Sequence, residues 1–242
     1  MGSPPPSVRL IGPPQADGEY VGLRAEGAGE QIVHLHDYDR LYEMPGLYEH
    51  IVQELLGCCS PQVTAKGLAL ALTRLELDPA SVTLLDLGAG TGLVGELLRA
   101  IGVGDVVGLD ALPAAWEACL RDRPGIYGGY FVGDLAKPTP QLLAGLRDHH
   151  LTGLVSAGAL GGTHVPAAAL LQAIELLGAG APVVFTIDEH WMQTDGPGGF
   201  RTPVSRLFVS GRLRLLERSG FRHRRSTTGD PIRYELLVAV TS

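Results

Sequence analysis

Apolar residues along this chain fall into two alternating rhythms, and the alternation sketches an α/β protein. Short, nearly unbroken apolar runs at 82–87, 106–109, 126–132, 151–157 and 181–187 read as strands buried on both faces, the pattern of a parallel sheet. Stretches with helical spacing lie between them. Leu93, Val94, Leu97 and Leu98 would face inward from one, and others cover 113–120, 141–146 and 167–177. A last helix is predicted over 204–218, then strands at 221–225 and 233–240 joined by Gly229-Asp230-Pro231. Near the start, Ile32, Val33 and Leu35 mark a short extended piece. Helices are predicted over 47–56 and 63–75, the second with Ser60 as N-cap and Pro61 in its first position. Residues 1–18 are rich in Pro and Gly and are expected to be poorly ordered, with loop character continuing to about Glu30.

One strand–turn–helix unit, 82–98, carries most of the chemical information. Gly88, Gly90 and Gly92 form a turn that can adopt backbone angles closed to other residues and lets a ligand approach the main chain. The helix that follows offers unpaired N–H groups at its first turn. Asp86 is costly to bury unless it organises the turn or meets a positive group. Asp110 stands 20 residues after Gly90, at the end of the second strand, where an acid can hold ribose hydroxyls. Two nucleotide readings remain open on these residues. Gly90-Thr-Gly92-Leu-Val-Gly95 also fits the dinucleotide fingerprint, and Asp110 would serve NAD equally well.

The run Asp86-Leu-Gly88-Ala-Gly90-Thr-Gly92 resembles motif I of class I S-adenosylmethionine-dependent methyltransferases. Five α/β units followed by an antiparallel pair are also the order of that superfamily. Gly-Thr-Gly-Leu-Val-Gly-Glu-Leu-Leu and Val155-Ser-Ala-Gly-Ala-Leu further resemble the Williams-Beuren-region methyltransferase-like proteins and bacterial natural-product methyltransferases. The resemblance implies a Rossmann-like three-layer sandwich with a seven-stranded, mostly parallel sheet, an antiparallel last strand and an N-terminal helical lid. It divides the chain into an N-terminal segment (1–30), the lid (31–80) and the cofactor-binding core (81–242). It implies S-adenosyl-L-methionine as cofactor and S-adenosyl-L-homocysteine as product. Asp86 would lie near the methionine end and Asp110 on the ribose. Asp134 would accept from the adenine amino group, with Leu135 flanking the ring. Gly88, Ala89, Gly90, Thr91, Gly92, Ala111, Ser156 and Tyr42 would complete the cofactor set. The segment Asp37-Tyr-Asp-Arg-Leu-Tyr42 resembles the lids of small-molecule methyltransferases, which makes Tyr38 and Tyr48 candidate substrate contacts.

Composition narrows the partners. A net charge of −7 argues against a general nucleic-acid binder, because phosphate contacts need concentrated Lys and Arg. Residues 201–242 nevertheless hold nine Arg against three acids, so a basic face there is possible on sequence grounds. The Asn/Asp-Pro-Pro-aromatic motif of enzymes that methylate planar amino groups is missing after the fourth strand, where Ser156-Ala-Gly-Ala159 stands instead. No window approaches 18 uninterrupted apolar residues, and the start lacks a secretory pattern; the expectation is a cytoplasmic protein without a membrane partner. Three cysteines make neither a disulfide framework nor a zinc spacing, and His34 with His36 lacks a third ligand, so no metal is expected.

Methyl transfer from a sulfonium needs chiefly alignment and exclusion of water. A base is needed where the acceptor must lose a proton, and it should project from the ends of strands four or five, or from the lid. His164 and His190 meet that condition, with Glu189 and Trp191 as further substrate contacts. The expected reaction is transfer to oxygen or nitrogen, less readily carbon, of a small molecule. An NAD-dependent oxidoreductase and a non-methylating cyclase or scaffold that binds the same cofactor are the alternatives. Oligomeric state is not legible.

Overall fold

A computed structural model describes residues 6–12, 18–162 and 164–242. The chain begins with a small antiparallel sheet, β1 (Ser7–Ile11), β2 (Tyr20–Arg24) and β3 (Gln31–His34), in the order β1-β2-β3. The loop character expected up to Glu30 therefore gives way to strands, because Val21, Leu23 and Val33 point to one face and bury there. The disorder expected for residues 1–18 lies outside the described residues at 1–5 and 13–17.

Helices α1 (Tyr38–Tyr42) and α2 (Leu47–Glu49) follow, and α2 runs on as a π-helical turn over His50–Leu55. There Leu56 N–H donates to Ile51 O at 3.0 Å, one residue wider than in an α-helix. Leu41, Leu47, Ile51 and Leu56 pack on the small sheet as a core of their own. The lid is thus a sheet with helices beneath it; β3 falls on the extended piece expected at Ile32, Val33 and Leu35, and β1 and β2 are added to it. Next comes α3 (Ser60–Arg74), whose first residue is Ser60 and whose N-cap is Cys59. Ser60 does not cap the helix; its hydroxyl is hydrogen-bonded to His223 at 2.6 Å.

The main sheet takes β4 (Thr83–Leu87), β5 (Asp105–Asp110), β6 (Gly129–Val132), β7 (Gly153–Leu160), β8 (Pro182–Asp188), β9 (Leu213–Arg225) and β10 (Pro231–Thr241). Their order is β6-β5-β4-β7-β8-β10-β9, with β10 antiparallel to both neighbours. One face is covered by α3 and α4 (Leu93–Ala100) around Leu68, Leu98, Val155 and Val184. The other is covered around Leu85, Phe185 and Ile187, with α6 (Pro140–Asp148), α7 (Ala167–Glu175) and α9 (Arg201–Val209) contributing Leu146, Leu170 and Val204. Helix α5 (Pro113–Asp122) meets the lid through Ala115, Ala118 and Tyr42, and α8 (Glu189–Gln193) follows β8. This is the three-layer α/β architecture expected, with the antiparallel strand one place in from the edge.

The last helix is shorter than the periodicity predicts. It stops at Val209, and Gly211 takes φ +74°, a left-handed conformation that ends a helix cleanly. Residues 213–218 instead begin a 13-residue strand paired along β10. Some arginines of this region are paired: Arg218 donates to both carboxylate oxygens of Glu235 at 2.9 and 3.0 Å, and Arg233 of β10 pairs with Glu189, while Arg214, Arg222 and Arg225 are exposed. Among the described residues no single helix is long and apolar enough to cross a membrane, and no group of three or more His, Cys, Asp or Glu could hold a metal ion.

The lid is fastened to the far end of β9. Backbone bonds run from Cys59 N–H to His223 O and from Arg225 N–H to Leu56 O. Beside them Arg224 grips both carboxylate oxygens of Glu19, in the loop before β2, and Thr227 N–H adds a third donor at 2.8 Å. Both side chains are largely buried, 8% and 19% exposed. Burial alone would push the Glu19 carboxyl up; the Arg224 hydrogen bonds and charge, with Thr227 N–H, outweigh it and leave the group below its ordinary value. Glu19 therefore contributes stability above the usual carboxylate range, and this is lost as pH falls through its lowered folded value. Arg224→Met strands the buried carboxylate and should cost about 3 kcal/mol at neutral pH. The deficit, read from urea unfolding, should narrow as acid protonates Glu19 in both proteins; a pH-independent deficit would contradict the assignment.

Candidate functional site

The site forms at the carboxyl ends of β4, β5 and β7, where the chain turns away from the sheet. After Leu87 the backbone folds back on β5: Gly88 N–H and Ala89 N–H both donate to Leu109 O, at 2.8 and 3.1 Å. Gly88 sits at φ +78°, and a Cβ there would lie 2.4 Å from the Cβ of Ala159, so the two turns can touch only through a glycine. Asp110 organises the next turn, its Oδ2 accepting from Gly90 N–H at 2.9 Å and its Oδ1 from Leu112 N–H at 3.0 Å. Burial raises this carboxyl above its ordinary value, opposed by the backbone donors. The hydroxyl of Tyr130, which stacks on Trp116 at 4.6 Å, donates to Gly90 O at 2.9 Å.

Opposite this floor, β7 breaks step with β8 after Ser156 and rejoins at Leu160, which pairs with Ile187. The irregularity swings Ala157, Gly158 and Ala159 into the cavity wall, a common use of a bulge beside a binding site. Gly158 N–H is held by Thr186 Oγ1 at 2.8 Å.

The roof comes from the lid. Tyr38, Tyr42 and Tyr48 form one aromatic cluster, with ring centroids 5.7 Å apart for 38–42, 5.2 Å for 42–48 and 6.0 Å for 38–48. Burial raises all three phenol pKa values, Tyr38 to about 12, so they stay protonated. The roof is tied to the glycine turn by Glu49, whose Oε1 accepts from Thr91 Oγ1 and, at 2.7 Å, from Arg123. The cavity enclosed has a volume of about 620 Å³.

Its far wall is the least expected part. His36, His164, His223, Arg224 and Tyr234 all line it. His164 packs edge-on against His36 at 4.8 Å and against Tyr38 at 5.7 Å. His223 stacks on Tyr234 at 3.9 Å. Crowding by protein lowers the pKa of each histidine, with Arg224 adding to it and His164 acting further on His36; His223 falls to about 3. All three are neutral imidazoles at neutral pH.

The structure brings together most of the residues singled out in the sequence and separates others. Gly88, Ala89, Gly90, Thr91, Asp110, Ala111, Asp134, Leu135, Tyr38, Tyr42, Tyr48 and His164 line the cavity. Gly92 opens α4 without lining it; a Cβ there would meet Cys119 Sγ at 2.9 Å. Asp86 does not reach the cavity. It is fully buried, its Oδ2 accepts from Tyr127 at 2.7 Å and its Oδ1 has no protein partner; burial drives its pKa up to about 7. Ser156 is also fully buried and donates to Leu87 O at 2.8 Å, stitching β7 to the turn. His190 is exposed on α8, away from the cavity, and Glu189 accepts from Arg233. Trp191 lines a neighbouring cavity.

His36, His223, Arg224 and Tyr234 were not singled out for this site. Strand alternation should place His223 and Arg224 on opposite faces, yet both are buried. A register shift between Ile232 and Arg233 leaves His223 without an opposite number and turns both inward. The bulge carries no sequence signal.

The lining is tested against the two cofactors by its charge. Asp37, Asp39, Asp110 and Asp134 line the cavity, and its one arginine among the described residues, Arg224, is already paired with Glu19. Glu49 lies at the N-terminal turn of α4, where a diphosphate would have to sit. A ligand with hydroxyls and cationic groups fits these residues; a dianionic dinucleotide does not.

No protein-family model and no curated protein matches the sequence. Solved structures do match. The N-methyltransferase NodS from Bradyrhizobium japonicum WM9, solved with S-adenosyl-L-homocysteine, is 13% identical over 86% of this chain and 97% of its own, with TM-score 0.56. A SAM-dependent methyltransferase from Anabaena variabilis is 14% identical over 87% and 96%, also with TM-score 0.56. A Pyrococcus horikoshii structure described as a candidate RNA methyltransferase is 16% identical over 74% and 84%, with TM-score 0.53. The fold of this chain is the fold of the class I S-adenosylmethionine-dependent methyltransferases.

Proposed function

We propose that the chain is an S-adenosyl-L-methionine-dependent methyltransferase acting on oxygen or nitrogen of a small molecule. The charge of the cavity carries this reading: carboxylates line the nucleoside end, and no unpaired arginine or lysine is among the described residues of the lining. Asp110 at the end of β5 would hold the ribose, Asp134 and Leu135 the adenine, and the tyrosine roof the amino-acid end. The bound cofactor supplies an already activated methyl group.

The remaining task belongs to this chain's own side chains. Tyr38, Tyr42 and Tyr48 exclude water above the reaction path. His164, neutral because of burial and Arg224, is the base that accepts the proton the acceptor loses. His36 holds its ring edge-on. This replaces the pair His164 or His190 with His164 alone, since His190 lies outside.

Calorimetry should show binding of S-adenosyl-L-homocysteine and none of NAD. Asp110→Ala should weaken that binding at least tenfold, about 1.4 kcal/mol. Tight NAD binding with no response to the homocysteine compound would sink the proposal. The pH profile tests the base. Its folded pKa lies below 6.5, so kcat/KM should stay level at neutral pH and fall only below that value as His164 protonates. His164→Gln should lower kcat at least tenfold and abolish the acid limb; an unchanged limb would assign it to another group.

A further inference from the structure

A second cavity, about 530 Å³, lies behind the histidine wall. It shares His36, His164, Arg224 and Tyr234 with the first, so the two compartments meet at these four side chains. Its other walls are mainly apolar. Leu160, Pro197 and Ile232 line it together with Trp191. The indole is pressed from one side by glycines: added Cβ atoms at Gly161, Gly162 and Gly198 would stand 2.8, 3.2 and 3.4 Å from it. Three glycines there keep the ring in place while leaving the cavity open.

The charges of this compartment select against anionic occupants. Arg224 is taken up by both oxygens of Glu19 and by Arg225 O, so it has no free fork for an incoming anion. Asp188 also lines the space, with Oδ1 accepting from His190 N–H at 2.7 Å, and its negative charge opposes carboxylates and phosphates. Glu19 and Asp188 both line the space and would not repel an ammonium group, but that group has no lone pair to accept a methyl. The two histidines facing the space are neutral.

Resting on the reading of the first cavity as the methyl-donor site, we propose that the second is the acceptor compartment and takes an uncharged planar phenol. Its ring lies against Trp191 and its hydroxyl faces His36 and His164. As the oxygen gains the methyl group, its proton passes to the His164 imidazole. The donor's sulfur–carbon bond breaks with the electron pair kept by sulfur, so positive charge moves from sulfonium to imidazolium and all atoms balance.

Two probes with one ring system separate the possibilities: 1-naphthol and 1-naphthoate. Each is titrated calorimetrically into the full chain with and without S-adenosyl-L-homocysteine. Naphthol should bind at least tenfold more tightly than naphthoate. Ile232→Trp, which fills the second cavity alone, and Trp191→Ala should each weaken naphthol at least tenfold while leaving S-adenosyl-L-homocysteine affinity within twofold. Equal affinity for naphthoate, no naphthol binding at millimolar concentration, or unchanged binding to Ile232→Trp would overturn the proposal. If naphthol behaves as expected and S-adenosyl-L-homocysteine does not bind, the acceptor compartment stands and the donor-site reading falls.

Discussion

A buried ion pair between residues 205 apart in sequence joins the lid to the core and sets the charge of the wall between the two cavities. Glu19 and Arg224 cancel each other's charge, yet the guanidinium still acts on its neighbours, lowering the proton affinity of His36, His164 and His223. One contact thus has two consequences. It holds the small sheet of β1–β3 over the site, and its guanidinium adds to the burial that chiefly keeps the histidines neutral. Taking two charges out of water is costly, so such a pair endures where its hydrogen-bonding capacity is filled, here by the twin contact, Thr227 N–H and Arg225 O.

The second constraint is steric. The turn after β4 and the irregular end of β7 approach until Gly88 and Ala159 are separated by less than a side chain. That approach needs a small residue on each side and a left-handed backbone at Gly88. It explains why the loop after β7 reads Ser-Ala-Gly-Ala, where bulk would push the floor and wall of the cavity apart. Ser156 belongs to the same arrangement: its hydroxyl fastens the loop to Leu87 O, which is a positioning task with no ligand contact.

The parallel core was legible because strands buried on both faces leave unbroken apolar runs, and the turn was legible because glycines cluster where a ligand must approach the main chain. Asp110 was found by spacing and does sit on the cavity floor. Asp86 shows the limit of that method. The two carboxylates look alike in sequence, yet one faces the cavity while the other is sealed against Tyr127. Which side a strand residue takes depends on the layer packed over it. Strands β1 and β2 were missed because two five-residue strands leave little periodicity to read, whereas β3 falls where Ile32, Val33 and Leu35 mark an extended piece. Of the histidine wall only His164 was singled out; His36 in the loop after β3 and His223 at a bulge in β9 were missed, because no local pattern encodes contact between them.

The orphaned oxygen of Asp86 bears on how the site stays dry. With Oδ2 satisfied by Tyr127 and Oδ1 without a protein partner, an ionised Asp86 would be an uncompensated charge beneath the glycine turn. Burial answers this by raising its pKa to about 7, so a proton resides there for much of the time near neutrality. Asp110 adds to that rise by its own negative charge. Burial raises Asp110 too, but backbone donors from Leu112, Gly90 and Ala111 oppose the rise, so Asp110 is the better placed of the two to remain ionised. The chain thereby concentrates its negative charge on the carboxylate that faces the cavity.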